Sequence, residues 1–252
     1  MTLQIWDRFC RLSALIVLVW ICLASPLSAQ EVTLTLTEDG SLATRTVQLL
    51  ALITVLSLVP GIAIMVTCFP FMVTVLAILR QAIGLQQSPP NMLMVSLALF
   101  LTYFVMEPTF TAAWQNGVQP LVSGTVDVEE GFRLTMDPLR AFMEARIELD
   151  TFSQLAALRP DLDPATSVVD APLSVVIPSF LLSEIEHAFQ VGFLIFLPFL
   201  IIDLVVAAVL MSMGMMMVPP AIVSLPFKLA FFVVADGWSL VAASLVRGYG
   251  VV

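Results

Sequence analysis

Charge is what this sequence has least of. Asp, Glu, Lys and Arg make up 12% of its 252 residues, about half the usual share. Lysine occurs once, as Lys228, and histidine once, as His187. A single histidine excludes a carboxylate-bridged di-metal site, which needs a second Glu-x-x-His pair, although Glu184-x-x-His187 has the spacing of one. No HExxH, nucleophile elbow, P-loop or GxGxxG is present. An intramembrane serine protease needs a base near its serine. Lys228 is the candidate base, and no serine is assigned beside it. The chain is therefore read as neither an enzyme nor a cofactor carrier. Its net charge of −9 and scattered arginines exclude nucleic acid as a partner.

Cysteine is also scarce. Cys10 and Cys22 fall in the leading segment, so Cys68 is left alone and no internal disulfide is expected. Cys68 sits in an apolar run and reads as a small packing residue.

Apolar residues fill the space. They make up 60% of the chain, and the mean hydropathy is +1.02. The fold class is an all-α membrane protein: kinked helical hairpins with a small helical periplasmic region between them.

Residues 1–29 read as a signal peptide, with Arg8 and Arg11 before the short apolar run Leu12 to Leu23 and small residues around Ala24–Ala29. An uncleaved first helix is the competing reading. Residues 30–45 form a periplasmic lead, either a weak strand (Val32, Leu34 and Leu36 alternate with threonines) or a flexible tail. Residues 46–111 form the first membrane hairpin. Its first helix runs from about Thr46 to Ile83, with kinks or a break at Pro60-Gly61 and Pro70. Gly84 suits a helix C-terminus. Asn91 caps a second helix, about Met92 to Val105, which ends at Glu107-Pro108. In residues 112–182 acidic and basic residues return, 14 of the 29 in the chain. Pro138 after Asp137 reads as a helix start, the charges as a solvated face, and residues 160–178 as a proline-rich linker.

Residues 183–252 form the second hairpin, turning near Val218 and Pro219-Pro220. Asp203, Lys228 and Asp236 interrupt its apolar runs, where a charge costs roughly 2.5–3.5 kcal/mol. Asp203 and Lys228 differ in depth by about 7 Å at helical rise, within reach of a lysine. Two readings stand. Lys228 pairs with one of the carboxylates, or each group faces water in a cavity or interface. Glu184 joins the candidates for buried pairing at a subunit or helix interface. An exported N-terminus places residues 85–91 and the Met-rich turn in the cytoplasm and 112–182 in the periplasm.

The run Met211-x-Met213-x-Met215-Met216-Met217 is dense. Methionine is flexible and soft and seals irregular gaps. A ring of such side chains makes a dry constriction; ordinary packing at a helix end is the plainer reading.

The segments GFLIFLPFLIIDLV, MGMMMVPP, LPFK and DGW, in this order, resemble the FliP/SctR family of type III secretion export-gate proteins. So does VPGIAIMVTCFPFMVTVLAILRQAIGLQQSPPNMLMVSLALFLTYFVMEP. The signal peptide favours the flagellar branch over the virulence branch. The resemblance implies a non-catalytic channel subunit of the bacterial inner membrane and flagellar basal body. It implies a pentameric ring joined by FliQ and FliR, working with FlhA and FlhB and assembled with FliO in many species, that exports unfolded flagellar subunits. It implies a pore gasket at Met215, Met216 and Met217, with Met211 and Met213 beside it, and shielding of the buried charges at the subunit interface. The family often has a basic residue where Phe71 and Glu186 stand. A virulence-type homologue is the nearest alternative. A small-solute secondary transporter lies further off, because its usual internal repeat is not apparent.

Overall fold

The computed structural model describes residues 42–85, 88–163, 166–215 and 217–250. The signal-peptide expectation, most of the lead and Met216 lie outside these residues. Contacts divide the chain into two units, Met1–Thr54 and Val55–Val252. The described part of the first is helical, the start of α1 (Leu42–Met65).

All regular structure among the described residues is helical. In the second unit α1 ends and is followed by α2 (Phe69–Ile83), α3 (Asn91–Ala113), a π-helical turn (Trp114–Val118) and the short α4 (Gln119–Val122). Then come α5 (Val128–Glu144), α6 (Leu149–Ala157), α7 (Leu173–Ser212), α8 (Pro220–Val234) and α9 (Gly237–Arg247). Among the described residues three stretches are long and apolar enough to cross a membrane: Thr46–Met65, Asn91–Val122 and Leu173–Ser212. A fourth is added if α8 and α9, bent by 62° at Ala235-Asp236, count as one broken span.

The core is organised around α2. Phe71, Met72, Val75, Leu76, Leu79, Ala82 and Ile83 recur at helical spacing and are buried. They pack against Met94, Ala98 and Met106 of α3, Ala188 and Phe199 of α7, and Phe232 of α8. A second cluster joins Met143 and Phe152 of the charged region to Val175, Val176 and Phe180 of α7.

Several boundaries differ from the sequence reading. Thr46 to Ile83 is two helices, and the break falls at Val66–Cys68 while Pro60 stays inside α1. The Thr67 hydroxyl bonds to Ile64 O at 2.9 Å and competes with the backbone ladder. Pro70 lacks the donor that would continue the helix and instead starts α2. Gly84 caps α2 at φ +88°, with its N–H donating to Gln81 O. Asn91 is not the cap of α3: Pro90 takes that position, and the Asn91 amide oxygen accepts from Arg80.

α3 does not stop at Glu107-Pro108 but runs to Ala113 and on through the π turn. Proline removes one backbone bond, and the helical path on both sides survives that loss. Asp127, not Asp137, starts α5: its carboxylate accepts from Glu130 N at 2.8 Å, and Pro138 lies inside the helix. α7 begins at Leu173, within the expected linker, and passes Pro178 and Pro198 without a break. Its 40 residues span about 60 Å, twice a bilayer core, so its first turns belong to the charged region.

The π turn is held by a close approach. A Cβ on Gly117 would sit 2.4 Å from Thr135 N and 2.6 Å from Thr135 Cα of α5. The obstacle is backbone, so it cannot rotate away. Gly117→Ala is expected to lower stability by about 1–3 kcal/mol, read as a lower midpoint in a detergent-solubilised thermal melt. An unchanged midpoint would show that α3 and α5 part freely.

Candidate functional site

The Met-rich turn is built by the end of α7. Gly214 takes φ +75°, a left-handed conformation that costs other L-residues roughly 1–2 kcal/mol. Its N–H donates to Met211 O at 3.0 Å, and the Met215 N–H reaches back to Leu210 O at 3.0 Å. This pair of bonds is a Schellman cap. It stops α7 and turns the chain so that Met217 stands outward. Met211, Met213 and Met217 are 62%, 65% and 98% exposed. Met215 is half-covered, at the end of an apolar groove of about 590 Å³ between α7 and α8. Pro219 then caps α8 and Pro220 opens it. None of the described methionines at the tip enters the chain's own core.

Deeper in the same hairpin lies an ion pair. Lys228 Nζ stands 2.6 Å from Asp203 Oδ2 and donates to Ala82 O at 3.0 Å. The Lys228 side chain is 7% exposed and that of Asp203 31%. The other carboxylate oxygen accepts from Ser224 Oγ at 2.6 Å. Sequence reasoning passed over Ser224. It stands one helical turn before Lys228 and is fully buried, and that i, i+4 spacing was the signal that could have found it. Its hydroxyl serves the carboxylate, not the amine, so the trio is a structural clasp joining α2, α7 and α8. Asp236 is elsewhere. It is exposed at the corner between α8 and α9, with φ 48°, and among the described residues no ion pair to it is formed.

Glu184 has its own partners. It is completely buried, and Arg146 Nε bonds its Oε1 at 3.0 Å. The Tyr249 hydroxyl donates to its Oε2. The Arg146 guanidinium lies 4.3 Å from the Tyr249 ring centre. Phe142 stacks on that ring at 6.0 Å, and Phe71 meets it edge-on at 5.5 Å. Burial alone would lower the Arg146 pKa. The charge and hydrogen bond of Glu184, with the Tyr249 ring and hydroxyl beside the guanidinium, outweigh that and hold it above the ordinary value.

The charged region is thus not uniformly a solvated face. Glu130 and Arg133 are, and their mutual pairing holds the Glu130 carboxyl below its usual range. Arg140, in contrast, bonds Glu144 at 2.6 Å and Ala171 O at 2.6 Å, fastening the linker. Arg146 fastens α7. Phe71, where the family often has a basic residue, is here a buried wall of the Tyr249 pocket. Glu186 is exposed, with Gln190 Nε2 3.4 Å away. His187 Nε2 lies 3.6 Å from Glu148 Oε1. Among the described residues no group of three His, Cys, Asp or Glu could hold a metal ion.

Comparison with known proteins places these features in context. Residues 52–245 match the FliP family. A flagellar biosynthetic protein FliP of Caulobacter vibrioides is 49% identical over 226 residues, which is 90% of this chain and 85% of that protein. One from Agrobacterium fabrum is 47% identical, over 84% of this chain and 86% of the relative. One from Bacillus subtilis is 43% identical, over 84% and 96%. A match through nearly all described helices, at this identity to proteins of that name, assigns the chain: it belongs to the FliP family.

Proposed function

We propose that this protein is the channel-forming core subunit of a flagellar type III export gate, passing unfolded flagellar subunits across the bacterial inner membrane. Membership of the FliP family carries the reading. The relatives described above bear flagellar names, which favours this reading over the virulence-type and small-solute alternatives. Its role is conduction, not catalysis.

In this reading several copies, expected to be five, close into a ring with FliQ and FliR. FlhA and FlhB work with the ring, and FliO assists its assembly. The charged helices α5 and α6 lie on the periplasmic side. Met215, Met216 and Met217 of each copy form the seal, with Met211 and Met213 beside it. The exposed tip above the Schellman cap supports this assignment, because a gasket must present soft side chains that its own subunit does not consume. Asp203, Lys228 and Glu184 are partnered within the subunit, leaving Asp236 as the one of these four groups offered to an interface.

The test is purification of the tagged chain with the FliQ and FliR of its own organism in mild detergent, followed by particle mass and imaging. A closed ring with methionine at its narrowest level is the expected result. A stable monomer or dimer in the presence of both partners would overturn it. In assembled gates, alanine at Met215, Met216 and Met217 is expected to raise ion leakage. Leakage equal to that of the parent gate would remove the sealing role.

A further inference from the structure

α3 and α9 face each other across a groove of about 560 Å³. Phe100, Leu101 and Phe104 form one wall, and the small Ala243 with Val246 the other. Phe100 is 77% exposed and Phe104 57%, so the slot is open and strongly apolar. Arg247, the last residue of α9, is the one charged residue lining it.

The direction of the groove follows from contacts. Lys228 reaches Ala82 at the end of α2, and Tyr249, two residues past Arg247, packs on Phe71 near its start. α8 and α9 therefore progress opposite to α2 and in the same sense as α3. Arg247 stands at the Phe104 end. The stripe Phe100, Phe104 continues at helical spacing to Glu107, which is exposed. Neither Arg247 nor Glu107 forms an ion pair among the described residues. Both helices belong to stretches apolar enough for a membrane. The slot thus runs along membrane-type helices and ends at an unpaired cation and, one turn on, an unpaired carboxylate.

We propose that this groove binds one phospholipid whose headgroup carries both a phosphate and a primary amine. The phosphate sits on the Arg247 guanidinium, whose planar fork suits phosphate oxygens. The ammonium sits on Glu107, and an acyl chain lies along α3 from Phe104 to Leu97, over about 10 Å. A phosphate-only headgroup would meet the repulsion of Glu107. A quaternary amine would lack the N–H donors for its carboxylate.

The test is native mass spectrometry of the full chain after exchange into equal phosphatidylethanolamine, phosphatidylglycerol and phosphatidylcholine. The measurement needs no partner chain, so it stands or falls separately from ring formation. One phosphatidylethanolamine retained about five-fold over the other two is expected. Arg247→Gln should lower retention of all three. Glu107→Gln should abolish the preference while keeping binding, and Ala243→Phe should fill the slot and abolish it. The two polar variants lie on exposed positions, so the test does not depend on the bulky one folding. Equal retention of the three lipids, or retention unaffected by Arg247→Gln, would overturn the proposal. So would a phosphatidylglycerol preference in the parent chain.

Discussion

Lys228→Met is expected to destabilise the second hairpin by about 3–5 kcal/mol, the cost of removing one partner from a buried pair. The side chains are of similar length, so the loss is electrostatic and not a cavity. Asp203 would keep the Ser224 hydroxyl on one oxygen but lose the cation on the other, and Ala82 O would lose its donor. The measurement is resistance to thermal and denaturant unfolding in detergent, with ring yield alongside. The decisive control is the double variant Lys228→Met, Asp203→Leu. With both charges gone the desolvation cost also goes, and stability should recover most of the loss. Additive damage in the double variant would show that Asp203 and Lys228 act independently, against the geometry.

Arg146→Leu should cost a similar amount, about 3–5 kcal/mol, but in a different place. Glu184 is completely enclosed, and Arg146 is its only cationic partner among the described residues. Without it the Tyr249 hydroxyl alone faces the carboxylate, and the ring of Tyr249 loses the guanidinium over its face. The charged region should then loosen from α7. Limited proteolysis between Ala145 and Pro172 is the readout, and Arg146→Lys gives a graded comparison because lysine lacks the planar fork. Glu184→Gln in the Arg146→Leu background should restore protection, since a neutral amide leaves no buried charge. Proteolysis of Arg146→Leu at the parent rate would mean that apolar packing of Met143, Phe152 and Phe180 holds the region unaided.

These two clasps show where sequence reading stops. That Lys228 lies within reach of a carboxylate on the facing helix follows from helical rise and the position of the turn. Which carboxylate it meets depends on rotation about two helix axes, and rotation is set by packing. The structure brings Asp203 into range and leaves Asp236 at an exposed corner. Arg146 is harder still. It stands in a run of alternating charges that reads as a wetted helix face, and its partner lies 38 residues on, three turns into a helix that starts at Leu173, earlier than its apolar run suggests. Tyr249 is more distant again.

Composition and apolar run length by themselves determined the class of this protein: a helical membrane chain with a charged segment between apolar ones. Hydrophobic length and charge scarcity are local properties that a bilayer reads directly. Motif order in the second hairpin determined the family. The end of α2 at Gly84 was fixed locally too, because only a residue free of Cβ strain ends a helix in the left-handed conformation at little cost. Tertiary structure alone decided the rest. It chose which prolines break helices: Pro70 does, beside the competing Thr67 hydroxyl, and Pro108, Pro178 and Pro198 do not. It also decided which charges are buried, because burying a charge becomes tolerable only when an oppositely charged group from a distant part of the chain is held within hydrogen-bond reach.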